Sequence, residues 1–291
     1  MTNILTVDVE DYFHPTEVQR SVGPSAWDSL PSRVEHSTAI VLDLLAETGV
    51  RATFFVLGWV ASRRPALVRR IADAGHEIAC HSFAHQLVFA LSPRQFLEDT
   101  RNAFDAIAQA AGSPPRAYRA PSFSVTARSL WALEILLECG FSVDSSIYPV
   151  RHDRYGIPGR PCHPHRIITP SGSILEVPPA AVPLARNHVA PAGGGAYLRL
   201  LPLAYMASAI RLINQSYCSP ACIYVHPWEF DPAQPRLASG ALSRLRTYLG
   251  LRSMPRKLSR LLRMFPFSSM SAVCPPDGAY PADHSLLASP R

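Results

Sequence analysis

The chain has 291 residues, of which 47% are hydrophobic and 17% are charged. This composition excludes a disordered protein and allows one α/β domain with a sizeable core. The formal net charge of +6 invites a nucleic-acid partner. The excess is local, because residues 232–276 carry eight basic side chains and no acidic one, which leaves −2 for the rest. We therefore expect no nucleic-acid partner.

Short apolar runs alternate with amphipathic segments along the chain. In chain order, the predicted elements are strand 4–8, helix 32–49, strand 52–56, helix 65–74, strand 77–80, helix 92–111, strand 117–119, helix 126–138, strands 142–144 and 174–177, helix 202–214 and strand 223–225. Capping boxes of Ser32 with Glu35 and of Ser92 with Gln95 indicate two helix starts, and Thr126 caps a third. This alternation predicts a parallel sheet, closed or open.

Two long connections interrupt the alternation, at residues 147–169 and 178–196. Long connections without regular structure are often functional. No G-x-G-x-x-G follows the first strand, which disfavours a dinucleotide fold. The N-terminal residues show neither a basic region nor an apolar run typical of a signal peptide, and the six cysteines form no C-x-x-C pair. We expect a cytoplasmic location.

The predicted strands end in polar, titratable side chains. These residues are Asp8, His81, Arg119, Asp144 and His226. In a barrel of parallel strands such ends converge on one face, where enzymes of this architecture carry their active site. The same positions also allow structural roles, namely a buried ion pair for Arg119, a turn cap for Asp144 and a hydrogen-bonded core histidine for His226.

The segment from His81 to His85 places two histidines four residues apart. On one side of a helical turn they could share a metal ion, although this spacing is also common among ordinary histidines. Acidic residues after the first strand, Glu10 and Asp11, strengthen the metal hypothesis. Two histidines with one carboxylate form an open catalytic site that leaves room for water.

Four motifs in this order resemble the NodB-type polysaccharide deacetylases, carbohydrate esterase family 4. They read TVDVEDYF at 6–13, HSFAH at 81–85, RAPSFS at 119–124 and YVHPWE at 224–229. The resemblance covers about residues 2–268 and is greatest to the branch found beside exosortase (PEP-CTERM) exopolysaccharide loci. It implies a distorted (β/α) barrel, an incomplete TIM-like barrel of about seven strands.

The resemblance also implies site roles. His81 and His85 would bind a divalent metal, often zinc, and Asp8 would be the general base, tethered by Arg119. His226 would be the general acid. The first motif departs from the common pair of adjacent aspartates, so that either Glu10 or Asp11 would be the acidic ligand.

Three further residues are expected at the substrate. The oxyanion would lie near Ser122, and Asp144 and Trp228 would contact substrate. The implied domains are a deacetylase barrel over residues 1–231, a basic helical extension packed on it over 232–268, and a Pro- and Ser-rich disordered tail over 269–291.

The implied function is removal of N-acetyl groups from amino sugars of a bacterial exopolysaccharide or a lipid-linked precursor. One alternative is an amide or cyclic-imide hydrolase of the allantoinase kind, with or without metal. Another is an inactive glycan-binding relative.

The leucines of the basic extension are expected to cover the barrel. The positive charge of this extension favours weak contact with an anionic membrane surface.

Overall fold

The computed structural model describes residues 1–152, 155–184 and 188–284. The strands are β1 (Asn3–Val9), β2 (Thr53–Val56), β3 (Glu77–Cys80), β4 (Ala117–Tyr118), β5 (Val143–Asp144), β6 (His165–Thr169), β7 (Gly172–Glu176), β8 (Ala181–Pro183), β9 (Val189–Pro191), β10 (Cys222–Val225), β11 (Phe267–Ser268) and β12 (Ala282–Asp283). The helices are α1 (Thr16–Gln19), α2 (Val34–Thr48), α3 (Gly58–Arg63), α4 (Pro65–Asp73), α5 (Pro93–Ala111), α6 (Ala132–Glu138), α7 (Ala196–Leu200), α8 (Leu203–Ser216), α9 (Ala241–Tyr248), α10 (Met254–Met264) and α11 (Met270–Val273).

One large sheet organises the molecule, with strand order β10-β1-β2-β3-β4-β5-β7-β6-β12. The first seven strands of this order are mutually parallel, which confirms the predicted α/β class. Within this sheet, the only antiparallel pairing among the described residues is the short hairpin between β6 and β7. Among the described residues no pairing joins the two edge strands, so the sheet is open and the expectation of a barrel is corrected.

The start of α2 differs from its prediction. Ser32 does not cap this helix; instead its hydroxyl donates to Asp11 Oδ2 at 2.6 Å. The backbone N–H groups of Arg33 and Val34 donate to the same carboxylate at 3.0 and 3.2 Å. A carboxylate from another segment thus caps the helix, which no local capping pattern can reveal.

Two other helix starts test the local capping rules. The capping box of α5 is confirmed, with Ser92 and Gln95 exchanging side-chain and backbone hydrogen bonds. The start predicted at Thr126 is wrong, because α6 begins at Ala132. The Thr126 N–H donates to Ser129 Oγ at 2.8 Å, which closes a turn ahead of the helix.

Both predicted long loops contain strands. The first includes β6, and the second includes the β8–β9 hairpin and then runs beside β10. A Cβ at Gly194 would lie 2.0 Å from the carbonyl oxygen of Tyr224, and the φ of Gly194 is +122°. Only glycine permits this close approach. Residues 153–154 and 185–187 of these loops lie outside the described residues.

The C-terminal part is more ordered than predicted. Over residues 269–284, assigned to a disordered tail, the chain forms α11 and β12, and β12 pairs with β6. Met270 and Cys274 are buried in a cluster against the sheet, which provides the apolar contacts that hold this segment. Residues 285–291 lie outside the described part of the chain.

The two helices of the basic extension differ in how their leucines pack. In α10, Leu258, Leu261 and Leu262 are buried as predicted. On α9, by contrast, Leu242 and Leu245 are 59% and 51% exposed, so the expectation that they cover the sheet is wrong. No helix among the described residues is both long enough and apolar enough to span a membrane.

Candidate active site

The ends of four parallel strands meet at one cleft. Asp8 and Glu10 lie at the end of β1, His81 follows β3 and His226 follows β10, and all four line a cavity of about 170 Å³. Arg119, which follows β4, lies directly behind Asp8. The expected convergence of these strand ends is thus present in the structure.

Glu10, His81 and His85 form a compact set of possible metal ligands. Their ligand atoms all lie within 4.8 Å of one another, and all three side chains are buried. Glu10 Oε1 lies 3.0 Å from His85 Nε2 and 3.2 Å from His81 Nε2. Burial by itself would raise the pKa of Glu10, but His85, His226 and His81 hold it well below the usual value. An anionic oxygen therefore faces two imidazoles.

Neighbouring groups orient these three side chains. His81 Nδ1 lies 2.8 Å from the carbonyl oxygen of Arg119. This contact requires an N–H on Nδ1 and leaves the lone pair of Nε2 for a ligand. The Gln19 amide lies 3.0 Å from His85 Nδ1, and the indole of Trp228 donates to Glu10 Oε2 at 3.3 Å. The chemistry of the three side chains and the orientation of His81 fit a divalent metal ion.

The two histidines do not lie on a helical turn. His81 directly follows β3, and His85 lies in a loop with a φ of +51°. The His85 N–H donates to the hydroxyl of Ser82, whose φ is +66°. Asp99 on α5 accepts hydrogen bonds from the backbone N–H groups of the two residues between Ser82 and His85. These contacts stabilise the unfavourable conformation and bring both rings to Glu10.

The structure separates the two candidate acidic ligands. Glu10 lies in the metal-ligand set, whereas Asp11 accepts hydrogen bonds at the start of α2 and from the N–H of Tyr12. The alternative of Asp11 as a metal ligand is therefore corrected. Alternation along an extended backbone explains the result, because successive side chains point to opposite sides.

Asp8 and Arg119 form a buried ion pair. Arg119 Nη1 donates to Asp8 Oδ1 and to Thr6 Oγ1, each at 2.7 Å. Its Nη2 donates to Ser145 Oγ at 2.8 Å. The guanidinium orients one oxygen of Asp8, while the other oxygen, Oδ2, lies 3.9 Å from His226 Nε2.

His226 belongs to a chain of ionic contacts that sequence reasoning did not assign. Its Nδ1 lies 3.0 Å from Glu229 Oε2, and Arg199 donates to Glu229 Oε1 at 2.7 Å. Burial lowers the pKa of His226, but Glu10, Glu229 and Asp8 outweigh that effect and raise it to about 9. The spacing of Glu229 three residues after His226 was an available signal. No such signal marks Arg199 in the sequence, since it lies on a helix thirty residues before Glu229.

The remaining predicted residues separate into two groups. Ser122 and Trp228 line the cleft, and the Trp228 ring stacks on His226 with centroids 5.2 Å apart. Asp144 does not line the cleft, so its expected contact with substrate is corrected. It is fully buried beside Glu176, and burial raises the pKa of Asp144 to about 6 and that of Glu176 well above the usual value.

Comparison with known sequences agrees with this geometry. Residues 23–141, which contain His81, His85 and Arg119, match the polysaccharide deacetylase family. A chitooligosaccharide deacetylase from Bradyrhizobium sp. (strain ANU 289) is 34% identical over 100 residues, which are 34% of this chain and 43% of that protein. Part of the chain is therefore similar in sequence to polysaccharide deacetylases. A peptidoglycan-N-acetylglucosamine deacetylase from Bacillus cereus is 32% identical over 98 residues, 33% of this chain and 36% of that deacetylase.

These matches span less than half the length of either deacetylase. Residues 145–275, which contain His226, match a domain of unknown function, DUF3473. Among solved structures, a candidate polysaccharide deacetylase from Mycobacterium smegmatis shares the fold with a TM-score of 0.61 and 21% identity, over 93% of this chain and 87% of that one. A family 4 carbohydrate esterase from Streptomyces lividans, solved with acetate, has a TM-score of 0.50 and 18% identity, over 96% and 97% of the two chains.

Proposed function

We propose that this protein is a metal-dependent hydrolase that removes N-acetyl groups from the amino sugars of a bacterial exopolysaccharide or its precursor. The observation that carries the proposal is the Glu10, His81 and His85 set, placed beside Asp8 and His226 in one cleft. The sequence relatives, named as chitooligosaccharide and peptidoglycan-N-acetylglucosamine deacetylases, support an acetylated amino sugar. The exosortase-locus resemblance of the sequence supports the exopolysaccharide.

Glu10, His81 and His85 would hold the metal. When bound, a divalent ion such as zinc supplies Lewis acidity that polarises the acetyl carbonyl and lowers the pKa of water. The protein confines the ligands by burial and by the contacts to the Arg119 carbonyl and the Gln19 amide.

The proton transfers fall to Asp8 and His226. Asp8 Oδ2 accepts a proton from the attacking water, while Arg119 holds the other oxygen. Neighbouring carboxylates raise the pKa of His226, and its protonated ring donates a proton to the amine nitrogen as the C–N bond breaks. Backbone N–H groups near Ser122, which lines the cleft, would stabilise the oxyanion.

Acetate release and metal content test the proposal together. Purified protein is expected to release acetate from N-acetylglucosamine oligomers, to lose this activity in chelator and to regain it with Zn²⁺. Full activity in chelator would favour a metal-free amide or cyclic-imide hydrolase, and glycan binding without acetate release would favour an inactive relative. The matched control is the same protein carried through chelation and dialysis without added metal.

We also propose a cytoplasmic location with contact to an anionic membrane surface. Support comes from α9 and the residue that follows it, where the exposed Leu242, Leu245 and Leu249 lie close to Arg236 and Arg244. Co-sedimentation with phosphatidylserine vesicles is expected at low salt and not at high salt. A variant with all three leucines changed to Ser should sediment less. Absence of binding at low salt would refute the contact.

A further inference from the structure

A groove of about 700 Å³ continues from the cleft along α1. Thr16, Leu87 and Tyr155 line both the cleft and the groove, so the two form one depression. At their junction, Thr16 Oγ1 lies 2.9 Å from Ser122 Oγ. The groove has the volume of a complete small-molecule site, roughly 300–1,000 Å³. A glycan extending from the acetylated sugar has room to continue there.

The groove differs from the cleft in its charged side chains. Arg20 and Arg128 are exposed on its walls, and neither forms an ion pair with an acidic residue in the described part of the chain. The described lining of the groove includes no carboxylate. The cleft lining, in contrast, contains Asp8, Glu10, Glu17 and Glu229 together with Arg199 and Arg246. The depression thus carries both signs of charge at the reaction centre and is basic beside it.

The groove also offers contacts that suit a sugar ring. Phe89 is 39% exposed there, and His152 lines the groove with its ring stacked on Tyr155, the centroids 3.8 Å apart. Aromatic rings present large apolar faces, while Thr126 adds a hydroxyl to the lining. This combination of apolar faces, polar groups and unpaired arginines is unlike a simple solvated surface.

We propose that this groove binds an anionic sugar unit adjacent to the N-acetylated sugar, so that the substrate is an acidic heteropolysaccharide. Arginine is well suited to this role because its planar guanidinium binds carboxylate or phosphate through two parallel hydrogen bonds. The inference rests on the proposed deacetylase function, which it deepens by specifying the substrate class. Arg20 and Arg128 are binding residues in this proposal and take no part in the proton transfers.

The test compares two oligosaccharides of equal length. One alternates N-acetylglucosamine with glucuronate, and the other is a neutral N-acetylglucosamine oligomer. We expect the wild-type protein to favour the uronate oligomer in kcat/KM at 20 mM NaCl. The double variant Arg20→Ser/Arg128→Ser should raise KM for that oligomer on the order of tenfold, with kcat and the neutral oligomer nearly unaffected. The control, Arg69→Ser/Arg116→Ser, removes the same charge from exposed sites outside the groove.

Binding measured in parallel separates the two proposals. Fluorescently labelled oligomers report affinity by polarisation even if no acetate is released. Uronate preference without acetate release would support the groove and refute the deacetylase function. Acetate release at equal efficiency from both oligomers, or equal loss of preference in the control variant, would overturn the groove. Competition by glucuronate and by glucose 6-phosphate at matched ionic strength distinguishes a carboxylate site from a phosphate site, and inhibition by neither would also overturn it.

Discussion

Two sets of buried carboxyl groups lie at the same edge of the sheet and differ in their partners. Asp8 and Glu10 face Arg119 and histidines, and the pKa of Glu10 is held well below its usual value. Asp144 and Glu176, register partners at the ends of β5 and β7, face each other, and both pKa values are raised. Burial is nearly complete in both sets. The partner therefore determines whether a buried carboxyl group carries charge.

This difference also assigns different tasks to the two sets. The cleft carboxylates can accept protons or hold a cation, because cationic or imidazole groups compensate them. The Asp144–Glu176 pair supports the turn behind Arg119 instead: Ser146 donates to Asp144 Oδ1, and the Ile147 N–H donates to Glu176 Oε1 at 3.1 Å. The following predictions test this contrast.

The largest expected effect is in the cleft. His226→Ala removes the cation that faces Asp8 and Glu10 and the donor for the leaving amine. Acetate release should fall about 10²- to 10⁴-fold, the usual contribution of one proton-transfer group, while the circular dichroism spectrum stays unchanged. His36→Ala, at an exposed position on α2, is the matched control. Retention of more than half of the wild-type turnover by His226→Ala would contradict the role of general acid.

A smaller effect is expected from the group that orients His85. Gln19→Ala removes the side-chain amide that lies 3.0 Å from His85 Nδ1. The same amide nitrogen donates to the His14 carbonyl oxygen at 2.7 Å, which fixes its position. Loss of such an orienting contact typically weakens metal binding about 10- to 100-fold. Zinc affinity, measured by competition with a chromophoric chelator, reports this without an activity assay.

Gln86→Ala serves as the comparison for Gln19, because Gln86 is exposed beside His85 and, among the described residues, the hydrogen-bond partners of the His85 ring are Gln19 and Glu10. Unchanged zinc affinity in Gln19→Ala would show that the amide is not needed to orient the ligand.

The smallest effect concerns the carboxyl pair. The raised pKa of Glu176 means that the folded protein retains a proton that the unfolded chain releases above its ordinary pKa. The free energy of unfolding should therefore decrease as pH rises from about 5 toward the folded-state pKa, with a slope of at most about 1.4 kcal/mol per pH unit. Glu176→Gln keeps a carbonyl acceptor for the Ile147 N–H but cannot ionise, so its free energy of unfolding should decrease less over this pH range.

Urea denaturation between pH 5.5 and pH 8.5 measures this difference. Glu98→Gln, at an exposed site on α5, provides a carboxyl-to-amide control. If Glu176→Gln and wild type lose stability in parallel with pH, the pair does not retain a proton, and the contrast with the cleft disappears.

Much of the cleft could be predicted from the chain alone. The strand ends at Asp8, His81, Arg119 and His226 are visible because each follows a short apolar run, and parallel strands bring such ends together. The Ser92 capping box is local and was also predictable. The start of α2 was not, because its cap is the Asp11 carboxylate from a segment more than twenty residues earlier.

The sequence by itself determined the α/β class, the order of most elements and the residue types at the strand ends, since these depend on periodicity and local propensity. Only the tertiary structure selected Glu10 over Asp11, moved Asp144 out of the cleft and brought Arg199 to Glu229. It also left the sheet open and packed residues 269–284 against it. These outcomes depend on contacts between segments that are distant in sequence, because the packing of those segments decides where each side chain points and whether it is buried.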